Sequence, residues 1–165
     1  MLWLPYDARS LARLGVGGGA VTCLIKQGLP ADCNRMFVRD SARELEVRDL
    51  PPGRAVFLGA FEDGVNTYWL QTDSGEVWMV RGHKDDGDQY ALVNSSVAGL
   101  QQVLAVWEGF ACSGKSEADD DYEDYVEDVI ERARQADPIV FEDEDSWWSR
   151  VFEEVELGVL VPEDE

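Results

Sequence analysis

Apolar positions between residues 90 and 107 change their period midway. Tyr90–Val93 closes an extended segment, and beyond Asn94-Ser95-Ser96 the residues Val97, Leu100, Val103, Leu104 and Trp107 recur three or four apart. Gln101, Gln102 and Glu108 fall on the other side of that repeat. Polar residues at the switch supply what the free amides of a helix start require, so a strand is expected to feed directly into a capped helix over 96–110.

Upstream the pattern is extended. Segments 36–38, 44–48, 55–59, 67–72, 76–81 and 89–93 carry β-branched and aromatic residues. They are separated by turn formers such as Pro51-Pro52-Gly53 and Asp73-Ser74-Gly75. Connections this short suit hairpins, so an antiparallel meander of about five to six strands is predicted. Continuous apolar runs, Tyr68-Trp69-Leu70 and Val77–Val80, imply that both sheet faces are covered in part, and helices from the two chain ends are expected to cover them.

Residues 8–14 suit a short helix, Gly15–Ala20 a turn too rich in glycine for regular structure, and Val21, Leu24 and Ile25 a short helix closed by Gly28 and Pro30. Beyond the helix at 96–110, residues 118–136 place Tyr122, Tyr125, Val126, Val129, Ile130 and Ala133 on one stripe, with Pro138 as the stop. A last helix is expected over 146–157, with Trp148, Val151, Phe152 and Val155 inward and Gly158 as terminator. The predicted fold class is α+β: a meander sheet flanked by N-terminal and C-terminal helices. At 165 residues, it is expected to form a single domain over 1–165 with a variable N-terminal segment at 1–19.

Charge changes the picture more than composition does. An apolar fraction of 45%, with six Trp, six Phe and five Tyr, supports a folded core despite a formal charge of −20. Residues 1–110 hold 14 acids and 10 bases (net −4); residues 111–165 hold 20 acids and 4 bases (net −16). That field repels phosphate backbones and anionic lipid and speeds encounter with a basic partner, so direct nucleic-acid binding is not expected. Nowhere do eighteen apolar residues run together, and Met1–Asp7 has no basic leader followed by an apolar core. With three cysteines, Cys23, Cys33 and Cys112, at no metal-ligand spacing, cytoplasmic residence is expected, with no membrane, metal or cofactor.

Three sequence echoes of catalytic chemistry fail on context. Gly15-x-Gly17-x-x-Ala20 matches a dinucleotide fingerprint but follows a helical segment where a strand is needed. Gly109 to Ser116 has the spacing of a phosphate loop ending in Lys115. It too follows a helix, and Glu117, Asp119, Asp120 and Asp121 would stand where phosphate should lie. His83, in a loop between two strands, has no second histidine or nucleophile from which to build a triad.

The acidic clusters remain. Asp119-Asp120-Asp121 and Glu142-Asp143-Glu144-Asp145 lack the alternating ligands and glycine of a calcium loop. They serve either a basic partner or solvation, and composition leaves both open. Trp147 beside them has the character of a binding anchor, so the candidate partner-binding face comprises Asp119, Asp120, Asp121, Glu123, Asp124, Glu127 and Asp128, with Glu142, Asp143, Glu144, Asp145 and Trp147.

Several segments in order, Leu24–Pro30, Phe57-Leu58-Gly59, Thr72–Trp78, Val93–Leu100 and Trp148–Gly158, resemble the SUKH superfamily of bacterial immunity proteins, fourth subfamily, over residues 20 to 157. The glycine run before Ala20 and the acidic insertion at 117–145 depart from that pattern. The resemblance implies a non-catalytic α+β domain that binds and neutralises a polymorphic toxin, often a nuclease or nucleic-acid deaminase. A scaffold or regulatory module of the same fold is the competing class, and a small nucleotide-binding enzyme using Gly109–Ser116 the third.

Overall fold

The structure is a computed structural model and describes residues 1–82 and 87–163. His83 therefore lies outside the described residues.

The chain opens with β1 (Trp3–Leu4) and two short helices, α1 (Ala8–Arg13) and α2 (Gly18–Lys26). Asp7 caps α1 by accepting the Ser10 amide. Contrary to the sequence expectation of an irregular turn over Gly15–Ala20, part of the glycine run is helical: Gly17 is the N-cap of α2 and Gly18 its first residue. Burial of Leu24 and half-burial of Val21 hold that turn in place, overriding the low helix propensity of glycine. Next, β2 (Leu29–Pro30) pairs with β1 as a separate two-stranded ribbon. Gly28 makes this return possible. Its φ is +74°, and a Cβ there would stand 1.9 Å from the Leu4 carbonyl oxygen.

The main sheet is antiparallel and contains β3 (Asp32–Cys33), β4 (Phe37–Val38), β5 (Val47–Leu50), β6 (Gly53–Ala60), β7 (Thr67–Gln71), β8 (Val77–Arg81) and β9 (Gln89–Asn94). Strands β6 to β9 form the predicted meander. Both β4 and β5 pair with β6, Val38 opposite Ala60 and Val47 opposite Val56. Regular pairing in β5 begins at Val47 rather than Glu44, because Leu45 takes φ +60° as residues 43–46 turn. Register shifts at Phe57/Gly59 and at Val77/Trp78 bend the sheet.

One sheet face carries Val56, Leu58, Tyr68, Leu70, Val77, Met79 and Val93 into the main core with the helices. Helical cover is expected on the opposite face too, but among the described residues that face closes on the sheet itself. Leu50, Ala55, Phe57, Ala60, Trp69 and Val80 form a second cluster, in which every member belongs to the curled sheet. Arg43 lies over Phe57, 4.5 Å from the ring centroid, and helps close it. Curvature thus does what a second helical layer would otherwise do.

Four further helices follow: α3 (Val97–Ala111), α4 (Tyr122–Ala136), α5 (Pro138–Phe141) and α6 (Trp147–Glu156). The Ser96 hydroxyl caps α3 by accepting the Gly99 amide, as the Asn94–Ser96 switch predicts. Gln101, assigned from periodicity to the polar side, is buried instead. Its amide donates to the carbonyls of Gly28 and Cys23 at the end of α2, because α3 has α2 on one flank as well as the sheet below. Helix α4 starts at Tyr122 rather than 118, since the Asp119 carboxylate accepts the Ser116 amide and holds residues 116–121 in turns. Pro138 does end α4, and it also opens α5.

Candidate functional site

A buried polar node fixes where the acidic helices stand. Asp137, at the junction of α4 and α5, accepts the Ser95 amide at 2.8 Å, the Ser95 hydroxyl at 2.7 Å and the Asn94 side-chain amide at 2.9 Å. The Asn94 side-chain Oδ1 in turn accepts the indole N–H of Trp148 at 2.9 Å. Asn94 and Trp148 are fully buried and Asp137 nearly so. One strand end, one helix junction and the first turn of α6 are thereby locked together, and a half-broken node of this kind is costly.

On that frame α4 packs against α3, α5 and α6. It buries Tyr122, Val126, Val129, Ile130 and Ala133, while Tyr125 is half-buried. Glu123, Asp124, Glu127 and Asp128 are exposed on its free sides, and Asp119, Asp120 and Asp121 are exposed on its approach. Among the described residues, Asp121 pairs with Lys115 at 2.7 Å and Asp128 with Arg132 at 3.0 Å, whereas Glu123, Asp124 and Glu127 enter no ion pair. The Lys115 ammonium, hydrogen-bonded to Asp121, holds that carboxyl below its ordinary range.

The candidate residues do not all converge. Between α4 and α6 lies a groove formed by two adjoining recesses of about 390 and 360 Å³, which share Ile130 and Glu156. Glu123 and Glu127 line the first recess and Glu144 the second. Asp124 and Asp128 line neither. Glu142, Asp143 and Asp145 are exposed on the turn before α6, where Asp145 pairs with Arg150.

Trp147 stands apart from the α4 carboxylates. It is half-buried, stacked edge-on against Phe61 at 5.3 Å, and it lines a separate recess with Val151 and Glu154. At 3.6 residues per turn those positions lie on the side of α6 opposite Phe152 and Glu156, so the tryptophan and the α4 carboxylates do not share a surface. Three groove residues outside the sequence-derived set, Glu117, Tyr122 and Glu156, are supplied by different segments. The spacing of Glu153 and Glu156 on the outer face of α6 was the available signal.

Among the described residues, neither glycine-containing echo is assembled. Helix α3 runs through Gly109 to Ala111, and Lys115 is engaged by Asp121, so the phosphate-loop spacing does not form a strand-loop-helix cradle. The glycine run is preceded by α1 and lines a cleft with the 72–75 turn and residues 95–98 at the start of α3. Burial pushes the Cys33 thiol pKa up, with the Glu108 carboxylate adding to the shift, which keeps that sulfur protonated. Among the described residues, no group of three or more His, Cys, Asp or Glu could hold a metal ion, and no helix is long and apolar enough to cross a membrane.

Fold and surface together define an acidic α+β protein whose outer helical layer carries a carboxylate-rimmed groove. The model of the SUKH-4 immunity protein family matches residues 4–154, and the chain belongs to that family. No curated protein and no solved structure matches it.

Proposed function

We propose that the chain is a cytoplasmic immunity protein that binds a cognate polymorphic toxin, a nuclease or nucleic-acid deaminase, and neutralises it by steric and electrostatic occlusion. The family supports the immunity role. The single observation that favours electrostatic occlusion is the exposed run Glu123, Asp124 and Glu127, which among the described residues is free of internal ion pairs. A toxin that works on nucleic acid grips phosphate with basic residues. An opposed carboxylate face competes for that surface and raises the encounter rate from roughly 10⁵–10⁶ toward 10⁸ M⁻¹s⁻¹ at low salt. Such steering decays over a Debye length of about 8 Å at physiological salt, so it acts on association more than on residence time.

The test pairs growth rescue with kinetics. Co-expression with the cognate toxin restores growth, and failure to do so refutes the immunity role. The double variant Asp124→Lys/Asp128→Lys slows stopped-flow association by about tenfold at low salt and flattens its salt dependence. Unchanged kinetics removes this face from the mechanism.

A further inference from the structure

The groove between α4 and α6 is chemically polarised along its length. Its Glu144 end includes Arg134 and Arg150. Its Tyr122 end is lined by four carboxylates, those of Glu117, Glu123, Glu127 and Glu156, and by no basic residue. Beneath them Val126, Ile130 and Val155 make an apolar floor. Four like charges around one apolar slot repel one another and have no internal counter-charge there, which is an arrangement that a cation on an aliphatic stem relieves.

A second observation points the same way. Tyr122 lines this end of the groove and is only 8% exposed. Its hydroxyl is buried and, among the described residues, has no hydrogen-bond partner. A buried hydroxyl without a partner is destabilising, and such orphans in folded proteins call for an explanation. Burial first, and the Glu117 carboxylate second, raise the phenol pKa, so the group stays neutral and its oxygen remains available as an acceptor. The hydroxyl is itself closed to solvent, so a donor that completes it must displace the side chains covering it. At the mouth, Leu157 is 70% exposed and offers an apolar contact beside the acids.

Of the cationic side chains, arginine fits this set best. Its planar fork donates to several carboxylates at once, stacks on an aromatic ring, and is more weakly hydrated than an ammonium. We propose that the Tyr122 end of the α4/α6 groove is a socket for an arginine side chain presented by a basic, partly apolar segment of the partner protein, an inference that rests on the partner-binding role proposed above. The stem lies along Val126, Ile130 and Val155. The guanidinium meets Glu123, Glu127 and Glu156 and donates to the Tyr122 hydroxyl. The segment's apolar neighbour covers Leu157.

The experiment follows backbone and tyrosine-ring NMR shifts of the full chain titrated with a blocked Leu-Arg-Ala-Leu-Arg peptide. Controls are its citrulline and lysine counterparts and spermidine. Expected are saturable shifts at Val126, Ile130 and Leu157 below about 5 mM peptide, at least about tenfold weaker with citrulline and severalfold weaker with lysine. Tyr122→Phe deletes only the orphan hydroxyl, so it leaves thermal stability unchanged or higher while weakening the arginine peptide severalfold. A purely structural tyrosine would not show that split. Glu123→Gln/Glu127→Gln weakens the peptide about tenfold, whereas Asp124→Asn/Asp128→Asn, which removes the same charge from the acidic face without lining the socket, weakens it only about twofold; equal losses from the two pairs overturn the socket. Absence of shifts at these positions overturns the socket, and so do equal effects of arginine, lysine and spermidine, which mark plain counter-ion condensation. With the toxin itself, a kinetic response to the Asp124/Asp128 variants but not to the Glu123/Glu127 pair overturns the socket alone. No response to either set overturns the acidic-face mechanism as well.

Discussion

Replacing Asn94 by alanine should be among the most damaging single changes to this fold, although it alters only one amide. The side chain is fully buried and makes two hydrogen bonds of 2.9 Å, one donated to Asp137 and one accepted from Trp148. Loss of the first removes a contact to a carboxylate, about 1.5–3 kcal/mol, though Asp137 keeps both Ser95 donors. Loss of the second leaves the Trp148 indole N–H buried and without a partner, which costs about 1–3 kcal/mol more. Together the cost is roughly 3–5 kcal/mol, a large fraction of the roughly 5–15 kcal/mol that stabilises an ordinary domain. Equilibrium urea unfolding measures it. With a slope of about 2 kcal/mol/M, the midpoint falls by about 2 M. The Trp148→Phe background isolates the indole contact, and a double-mutant cycle should return a coupling of at least about 1 kcal/mol. A midpoint shift under about 0.5 M at unchanged slope would refute the reasoning, because the node could then not be what positions α4 and α6.

Gly28→Ala should destabilise by at least about 3 kcal/mol in the same assay, since the new methyl group would need both a left-handed backbone and the space of the Leu4 carbonyl. The Asp121 carboxyl, followed by NMR, should titrate below the ordinary carboxylate range and return to it in Lys115→Ala. Its folded value is the lowered one, so the contribution of this contact to stability is complete above the unfolded-state value and disappears as pH falls through the folded value.

Much of this architecture is legible in the residue pattern. The switch at Asn94–Ser96 marks a strand end and a helix cap because those are local requirements of backbone amides, satisfied within three residues. The stripe from Tyr122 to Ala133 and the inward set Trp148, Val151, Phe152 and Val155 follow from helical period alone. The hairpins from Gly53 to Asn94 follow from alternation and turn chemistry, and the acidity of the last third is fixed by composition.

What the pattern could not decide is which neighbour each face meets. Periodicity put Gln101 on the polar side of its helix, yet α2 ends against it and the amide is buried. Adjacency in sequence grouped Trp147 with the neighbouring acids, and the turn of α6 sets that ring against Phe61, away from the α4 carboxylates. It gave no sign that Asp137 would be buried, because its partners Asn94 and Ser95 lie more than 40 residues away. The groove itself is of the same kind: Glu117, Tyr122, Glu127 and Glu156 come from three segments of chain, and only the packing of α4 on α6 brings their charges and the orphan hydroxyl into one slot. A chain's period sets which side of an element is apolar. The angle and order in which elements pack set which polar groups meet, and here that packing was decided by the sheet's curl and the Asn94 node.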